Sequence, residues 1–500
     1  MLTTKLKQVT KQHGAEIAYR TAHGTEISYS QLDEYSDEVG VWLKRLGIRE
    51  GSVVALCLPS HVEYIISYLA IAKVGGITAG INPRFTPRER KYALEVLDPD
   101  LVITAEGYNS GVEEGYRSEF IHLSQAVDRT MLEQRITKEP LAQLPYDSDR
   151  PVCICFTSGS TGKPKGAWFA NKQLKAISDI DTGGEWGGGG HRYASTEFAH
   201  VGVMTKLPWL LATAGTTHLI NKWNATEILQ LIHNYRMTSV SAIAPQVALM
   251  LQQEIIQDLD FSSVKAIVTG GAFASPSLIQ AGREIFGAPW SIRYSSTESG
   301  GIGLGTSLDA DDSEALYTVG RPREGVEAKV CDSDGQKVQD GEIGEIWLCS
   351  PAIMSGYWNS PKSTSKVIQD GWLRTGDLAY VDNRGCYVLA GRTKEMFIRG
   401  GYNVFPLEVE SILSSHNRIS EIAVVPRIDE VMGEIGVAVV VPLDPQYPPT
   451  LDEIREFGSS SLASYKLPEA ILQVDEIPRN ATDKIDRKEL SRLVNSEREI

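Results

Sequence analysis

A ten-residue segment rich in glycine, hydroxyl and lysine side chains follows the apolar run from Pro151 to Phe156, and it reads Thr157-Ser158-Gly159-Ser160-Thr161-Gly162-Lys163-Pro164-Lys165-Gly166. Glycines let backbone N–H groups approach the oxygens of a polyphosphate, hydroxyls add donors, and lysines add positive charge. The segment departs from a Walker A loop, because Pro164 follows Gly162-Lys163 and Thr157 stands where that loop needs its first glycine. A polar surface turn has a similar composition, but the density of these residues favours a phosphate-binding loop.

Six further segments carry side chains that can bind a nucleotide or an acid, and four of them also contain glycine. In order along the chain they are Gly270-Gly271-Ala272-Phe273, Tyr294-Ser295-Ser296-Thr297-Glu298, Gly371 to Leu378, Gly391 to Glu395, Gly400 to Pro406, and Pro478 to Arg487. Taken singly, each is more typical of a turn, a helix cap or a solvated surface position. Taken together, and in this order along the chain, the six segments favour a binding function over separate structural roles.

These motifs resemble, in order and over essentially the whole chain, those of the superfamily of acyl-CoA synthetases, nonribosomal-peptide adenylation domains and firefly luciferase. The resemblance implies an α/β fold with a large N-terminal AMP-binding domain, residues 1–393, and a small mobile α+β domain, residues 394–500. It implies ATP and Mg²⁺, with CoA as co-substrate. The implied reaction converts a carboxylate and ATP to acyl-AMP and pyrophosphate, after which the CoA thiol displaces AMP.

For the nucleotide, the resemblance implies that Tyr294 packs on adenine, that Thr297 contacts the α-phosphate, and that Glu298 holds Mg²⁺ together with Thr161. Oxygen ligands suit Mg²⁺, and an aromatic face suits a purine. Asp377 and Arg392 match the ribose-binding segments. The remaining implied nucleotide contacts are Thr157, Ser158, Gly159, Ser160, Thr161, Gly162, Lys163 and Lys165 in the phosphate loop, and Gly270, Gly271 and Ala272 on the adenine side.

Lys484 matches the family lysine that contacts the reacting carboxylate and the α-phosphate, and with Thr297 and Glu298 it forms the implied catalytic set. A buried ammonium between two anions lowers their repulsion and stabilises the charge of the transition state. The family commonly has glycine before this lysine, whereas Asp483 stands here; its carboxylate either pairs with Lys484 or points to solvent. Lys394 occupies the position of the domain hinge, and Gly400, Gly401 and Tyr402 match the loop beside the CoA channel.

The acid pocket is implied to include His200, Val201 and Gly301. Amino-acid-activating relatives place an Asp near the segment Phe198 to Gly202, and the absence of such an Asp favours an acid without an amine. His200 is as readily a packing or helix-cap residue. Apolar and small residues suit an alkyl or aryl group in the segments implied to line the pocket, which are Leu207 to Ala212, Ile243 to Met250 and Gly300 to Gly305.

A medium- to long-chain fatty acid is the expected substrate, within fatty acid metabolism, and an aryl acid is the alternative. Loading of a carrier protein instead of CoA also stays open, as do a luciferase-like oxidase and a regulator that binds acyl-AMP without turnover. Assays of the thiol acceptor, of O₂ consumption and of pyrophosphate release distinguish these functions.

The elements that must position these residues follow from hydrophobic periodicity. Strands are predicted at Val53 to Leu58 and Leu101 to Thr104 around a helix at His61 to Lys73, which indicates α/β layering. The runs Val152 to Phe156 and Val264 to Thr269 end in glycine-rich or hydroxyl-rich segments, where open α/β sheets bind ligands. Beyond Lys394, helices are predicted at Pro406 to Ser415 and Leu451 to Phe457, and strands at Glu421 to Pro426, Ile435 to Val441 and Ile471 to Val474.

Composition narrows the class of protein. A chain of 500 residues exceeds one hydrophobic core, and 49 basic against 64 acidic residues give a net charge of -15, which excludes a general attraction to nucleic acid or anionic membranes. No signal peptide, membrane span or disulfide-type cysteine spacing is evident, so a cytoplasmic enzyme with reduced thiols is expected. Cys153 and Cys155 should share one face of a strand. The oligomeric state is open between monomer and homodimer.

Overall fold

The computed structural model describes residues 1–109, 112, 115–121, 140–157, 164–180, 190–220, 222–480 and 484–496, with the backbone alone at 120, 121 and 496. These residues form a mixed α/β structure, as predicted. The helices up to residue 367 are Leu2–His13, Tyr29–Arg45, Val62–Lys73, Pro87–Leu97, Asn171–Ile180, Val201–Met204, Leu207–Ala212, Ala225–Asn234, Ala244–Leu251, Pro276–Phe286, Asp312–Tyr317 and Pro361–Val367.

The largest described sheet, here called the central sheet, carries the start of the phosphate segment at the end of an inner strand. Its strands lie in the order Gly356–Tyr357, Lys165–Ala170, Pro151–Thr157, Ile77–Gly80, Val53–Cys57, Leu101–Ala105 and Ser118–Ile121. The strands from Pro151–Thr157 to Ser118–Ile121 are parallel to one another, whereas Lys165–Ala170 is antiparallel to Pro151–Thr157. Right-handed helical crossovers join such parallel strands.

Three more sheets precede residue 393. The nucleotide sheet contains Ser239–Ala242, Ala266–Gly270, Trp290–Tyr294, Leu304–Gly305 and Arg321–Pro322 in that order. Another contains Glu26–Ser28, Ile17–Arg20, Thr216–His218 and His191–Tyr193, and the third contains Glu327–Cys331, Gly344–Cys349, Trp372–Val381 and Ile368–Gln369, with Tyr387–Arg392 also paired to Trp372–Val381.

The residues from Phe397 onward form a sheet and core of their own. The strands are Tyr402–Val404, Phe397–Arg399, Gly433–Pro442 and Ile419–Asp429, with Ala470–Gln473 paired to Gly433–Pro442, and the helices are Pro406–Leu413, Leu451–Ser459 and Arg487–Ser496. Two hydrophobic clusters contain only residues from this part of the chain, with Val424 in one and Ala423 and Val425 in the other. Successive strand residues point to opposite faces, so both faces of this sheet are covered. The domain boundary at residue 394 stays a prediction.

The predicted elements are present with small shifts at their ends. The helix predicted to start at His61 begins at Val62, because His61 caps it by accepting the Glu63 N–H at Nδ1. The strands predicted at Glu421 to Pro426 and Ile435 to Val441 extend to Ile419–Asp429 and Gly433–Pro442, because their polar ends still pair across the hairpin.

The six cysteines are free, and Cys153 and Cys155 share one hydrophobic cluster while Ile154 lies in another on the opposite face. Both observations confirm the sequence predictions. Among the residues described, no helix is long and apolar enough to cross a membrane.

Candidate active site

The predicted phosphate-binding segment connects two neighbouring antiparallel strands of the central sheet. Thr157 ends one strand, Lys165 begins the next, and the two are cross-strand partners. The Lys165 ammonium lies 4.9 Å from the centre of the Tyr357 ring, a cation–π contact that orients it. The predicted contacts Ser158, Gly159, Ser160, Thr161, Gly162 and Lys163 lie outside the described residues.

Gly270 and Tyr294 stand at the carboxyl ends of two neighbouring parallel strands of the nucleotide sheet, where Gly270 pairs with Arg293. A Cβ at Gly270 would lie 2.6 Å from the Arg293 carbonyl oxygen, and Gly271 has a φ of 80°. Both positions therefore require glycine. Ala272 follows directly, so the predicted adenine-side loop and Tyr294 share one sheet edge, the expected position of a ligand in such a sheet.

Asp377 links Tyr294 to Arg392. The Tyr294 hydroxyl donates to Asp377 Oδ2 at 2.6 Å, and Arg392 Nε lies 2.7 Å from Asp377 Oδ1. Asp377 and Arg392 are cross-strand partners, and Asp377 is only 7% exposed. Burial and the Asp377 carboxylate raise the pKa of Tyr294, while Asp377 raises the pKa of Arg392. Each carboxylate oxygen has two lone pairs, so Asp377 keeps acceptor capacity for hydroxyl groups.

Thr297 and Glu298 lie in a turn closed by a 3.0 Å hydrogen bond from the Gly300 N–H to the Thr297 carbonyl. The Tyr357 hydroxyl donates to Glu298 Oε1 at 2.7 Å, and burial together with Glu298 raises the pKa of Tyr357. The hydrogen bond from Tyr357 thereby orients the Glu298 side chain within this turn.

Mg²⁺ fits this arrangement when phosphate oxygens supply the other ligands. Among the described residues there is no group of three or more His, Cys, Asp or Glu side chains that could hold a metal by themselves. Mg²⁺ keeps several waters and often takes only one or two carboxylates beside substrate phosphates. Glu298, with one oxygen hydrogen-bonded to Tyr357, meets that requirement.

Lys484 lies among residues of the large domain, although it belongs to the small one. Its carbonyl accepts the Asn480 N–H at 2.8 Å, and its own N–H donates to Asn480 Oδ1 at 3.2 Å. Burial and then Arg392 lower the pKa of the Lys484 ammonium, whereas Asp377, Glu298 and Glu395 raise it. The lysine therefore lies within electrostatic range of the predicted ribose and metal residues. Asp483 lies outside the described residues, and its effect on Lys484 stays open.

His200 caps the helix Val201–Met204 by accepting the Gly202 N–H at Nδ1, at 3.1 Å. His200 is therefore a helix cap, and its place in the acid pocket stays a prediction. Burial, with smaller contributions from Lys484 and Lys206, lowers the pKa of His200 to about 4. The ring is therefore neutral at pH 7, and its proton is on Nε2 because Nδ1 accepts.

The other predicted acid-pocket residues adjoin this cap. Val201 is 4% exposed, and Thr205 Oγ1 donates to the Gly300 carbonyl at 3.2 Å, which ties the short helix to the turn that contains Gly301. Gly301 has a φ of 75°, and the nearest atom to a Cβ placed there is Lys206 Cε at 3.4 Å. A side chain larger than that of glycine would therefore be strained at this position. The lining by Leu207 to Ala212 and Ile243 to Met250 stays a prediction.

Gly400 and Gly401 form the turn between Phe397–Arg399 and Tyr402–Val404, with φ of 55° and 87°. Tyr402 is 59% exposed and stacks on Tyr465 with ring centres 4.6 Å apart. The predicted CoA-channel residues therefore lie on an exposed hairpin of the small domain.

Two features of the site were not predicted from the sequence. Tyr357 contacts both Lys165 and Glu298, although its local sequence carries no signal for either contact. Glu395 forms a 2.8 Å ion pair with Arg487; both residues lie inside recognised motifs, but their distance along the chain hid the pairing.

The matched family models agree with this architecture. Residues 6–358 match the family model described as AMP-binding enzyme, and residues 408–484 match the AMP-binding enzyme C-terminal domain. The chain belongs to this family, the adenylate-forming superfamily that contains the acyl-CoA synthetases, and its class is that of the AMP-forming acid–thiol ligases.

Individual relatives cover nearly the whole chain. An indoleacetate–CoA ligase from Aromatoleum aromaticum is 30% identical over 94% of this chain and 93% of its own length. A fatty acid–[acyl-carrier-protein] ligase from Streptomyces coeruleorubidus is 29% identical over 96% of this chain and 94% of its length. The solved structure of an anthranilate–CoA ligase in complex with anthranoyl-AMP is 25% identical, with a TM-score of 0.89 and coverage of 99% of this chain and 98% of that one.

Proposed function

We propose that this protein is an ATP-dependent acid–CoA ligase that activates an aryl or arylalkyl carboxylic acid that lacks an α-amino group. A carboxylate oxygen attacks the α-phosphorus of ATP, and pyrophosphate leaves. The CoA thiol then attacks the acyl carbonyl carbon, its proton passes to solvent, and AMP leaves with the electrons of the broken C–O bond. The first step converts a poor electrophile into a mixed anhydride with a good leaving group.

The observation that carries this proposal is that the charge of Lys484 acts on the same site as the carboxylates of Asp377 and Glu298. The reacting carboxylate and the α-phosphate are both anionic, so their approach is opposed unless a cation lies between them. Lys484 supplies that cation from a segment that is half-buried, where electrostatic interactions are stronger than in water. Its role is to stabilise the charge that develops as the adenylyl group passes from pyrophosphate to the carboxylate oxygen.

The large domain would orient the nucleotide. Asp377 accepts the ribose hydroxyls with the acceptor capacity that remains beside Tyr294 and Arg392. The ring of Tyr294 provides a face for adenine. Glu298 would hold Mg²⁺, which neutralises phosphate charge when bound. Thr297 lies beside it in the same turn and donates to the α-phosphate.

The proposed class of acid rests on the neutral His200 and on the relatives. A neutral imidazole adds no second cation for an anionic tail. Relatives named for indoleacetate and anthranilate act on aromatic acids, and transfer of that property to this chain favours the aryl class over the expected fatty acid.

For the second step, the small domain would rotate about Lys394 and bring Gly400 and Gly401 to the acyl-AMP. Two glycines permit close approach of a thin thiol arm. Rotation lets one site serve both half-reactions.

The test is a pyrophosphate-release screen with aryl, arylalkyl and fatty acids, each with CoA or a holo carrier protein, followed by mass spectrometry of the thioester. Release with an aryl or arylalkyl acid and formation of its CoA ester are expected. Pyrophosphate release without thioester formation by either acceptor would contradict the ligase assignment.

A fatty acid–carrier-protein ligase is the second candidate, since one relative of nearly equal coverage carries that name. In the same screen, a fatty acid as best substrate and transfer to the carrier protein in preference to CoA would favour it.

A further inference from the structure

Glu395 lies between three cationic side chains at the junction of the two predicted domains. Its carboxylate is 2.8 Å from Arg487 Nε, and its charge also acts on Arg392 and Lys484. Its N–H donates to the Arg392 carbonyl at 3.0 Å, so one turn separates it from the arginine of the predicted ribose site. Glu395 is thus one of several carboxylates that act on these three cations, together with Glu410 on Arg487 and Asp377 on Arg392.

The partner of Glu395 is rigidly held. Arg487 Nη1 and Nη2 donate to the two carboxylate oxygens of Glu410 at 2.8 and 2.9 Å, and Nη1 donates to the Val424 carbonyl at 2.9 Å. Glu410 is 4% exposed and accepts the Val424 N–H at 2.6 Å. A guanidinium with all of these contacts has a fixed orientation, so the Nε–H that reaches Glu395 belongs to the core of the small domain.

Lys484 is presented by a tight segment that ends at Arg487. The Asn480 N–H donates to the Lys484 carbonyl and the Asp486 N–H to the Pro478 carbonyl, both at 2.8 Å. The lysine and Arg487 therefore move as one unit. Since Glu395 follows the predicted hinge residue Lys394, its contact with Arg487 joins the start of the small domain to the segment that carries the lysine.

We propose that Glu395 is a positioning residue for Lys484, one that holds the lysine segment at the nucleotide site through Arg487. This inference rests on the proposed adenylation reaction. Without Glu395, the contact with Arg487 is lost and one carboxylate fewer offsets the charge of Arg392 near Lys484, so the segment that carries the lysine would be held less firmly.

The charges of Lys484 and four other titratable groups also influence one another; these groups are Arg392, Asp377, Glu298 and His200. Asp377 is already shared with Arg392 and Tyr294, and Glu298 is proposed to hold Mg²⁺. Of the carboxylates that act on the lysine, Glu395 is therefore the one with no proposed contact to substrate or metal. Its effect on Lys484 can thus be measured without a change in nucleotide or metal binding.

Glu395→Gln keeps the shape of the side chain and removes its charge. We expect a loss on the order of tenfold in single-turnover acyl-AMP formation, because a charge-assisted contact is lost, with no change in thiolysis of supplied acyl-AMP. The alkaline limb of kcat/KM for the first half-reaction, which reports the free enzyme, should move to lower pH by about half to one unit. Glu395→Asp restores the charge and should return that limb towards the wild-type position.

Glu453→Gln is the matched control, because Glu453 pairs with Arg418 in the same part of the chain at a comparable exposure, 40% against 31% for Glu395. Glutamine also preserves the capping box that Glu453 forms with Thr450. This variant should match the wild type in both half-reactions.

A second measurement does not depend on the substrate. Competitive acylation of the Lys484 amine across pH, read by peptide mass spectrometry, should show a lower midpoint in Glu395→Gln than in the wild type and in Glu453→Gln. If no acid gives acyl-AMP with the wild type, the proposed function fails while this labelling still tests Glu395. An active wild type together with equal labelling midpoints, or equal losses in both half-reactions, would overturn the positioning role.

Discussion

The Tyr294 hydroxyl donates a 2.6 Å hydrogen bond to Asp377 Oδ2, which joins two strands that are 83 residues apart in the sequence. The other oxygen of Asp377 is bound by Arg392 at 2.7 Å. The aromatic face proposed for adenine and the carboxylate proposed for ribose are therefore fixed relative to each other before any nucleotide binds. Preorganisation of this kind lowers the entropy that binding must remove.

Asp377→Ala should raise the KM for ATP with a smaller change in the KM for the acid, since ribose contacts are remote from the reacting centre. Loss of a charged hydrogen-bond partner predicts an increase on the order of tenfold to a hundredfold. Asp377→Asn keeps an acceptor for Tyr294 and should have an intermediate effect. Initial-rate kinetics with each substrate varied test this, and a change confined to the acid KM would show that the ribose assignment is wrong.

Lys484→Ala should slow acyl-AMP formation far more than thiolysis of supplied acyl-AMP, because the ammonium is required where carboxylate meets phosphate. A loss on the order of 10² to 10³ in the first half-reaction is expected, by analogy with removal of one preorganised donor to a developing oxyanion. Exposed Lys488 lies in the same segment, and Lys488→Ala serves as the control for loss of a lysine there. Equal losses in both half-reactions would refute the role of Lys484.

Tyr357→Phe should raise the Mg²⁺ concentration needed for half-maximal pyrophosphate release. The variant keeps the ring that faces Lys165 and removes only the hydroxyl that donates to Glu298 at 2.7 Å. Groups that orient a metal ligand typically contribute tenfold or more to metal affinity, so an increase of about tenfold is expected. An unchanged Mg²⁺ dependence would contradict a role of Tyr357 in Mg²⁺ binding, and with it the assignment of Glu298 as a metal ligand.

Local patterns predicted some of the strands, because a short run of apolar residues indicates a buried strand whatever surrounds it. The strand at Pro151–Thr157 and the hairpin of the small domain are examples. The pairing of Asp377 with Arg392 was implied only through the resemblance, since nothing local shows that those strands are antiparallel partners. Tyr357 and the Glu395–Arg487 pair escaped prediction because each contact joins segments that are distant in sequence.

Acid should destabilise the fold through His218, which is 3% exposed. Burial, followed by the charges of His191 and Arg20, lowers the pKa of His218 to about 4, whereas an unfolded histidine has a pKa of about 6.5. Between these values the unfolded chain binds a proton that the folded chain does not, so stability falls as the pH falls from about 6.5 to 4.

His218→Gln should therefore make the free energy of unfolding less dependent on pH in that window, by up to about 1.4 kcal/mol per pH unit. Chemical denaturation at several pH values measures the slope. Exposed His23 offers the control, since His23→Gln shows what loss of an imidazole does at the surface. Equal slopes for the His218→Gln variant and the wild type would contradict the buried-neutral state of His218.

Lys394→Pro should separate the two half-reactions. Lys394 is the third residue of the turn from Arg392 to Glu395, which is closed by a 3.0 Å hydrogen bond, and it precedes the sheet that begins at Phe397. Proline fixes φ near about -65° and removes a backbone donor, so it resists the dihedral change that rotation of the small domain requires. Adenylation by chains that keep the orientation seen here should continue, CoA ester formation should fail, and acyl-AMP should accumulate.

A single-turnover experiment that records the pyrophosphate burst and the thioester yield together measures both halves. Lys394→Ala removes the side chain without restricting the backbone, and it should leave the ratio of the two signals close to that of the wild type. If Lys394 is instead an ordinary linker residue, proline costs some stability but lowers pyrophosphate and thioester in parallel, or changes neither. Parallel behaviour of the two signals would therefore exclude a hinge at this residue, because a hinge defect must stop the reaction after acyl-AMP has formed.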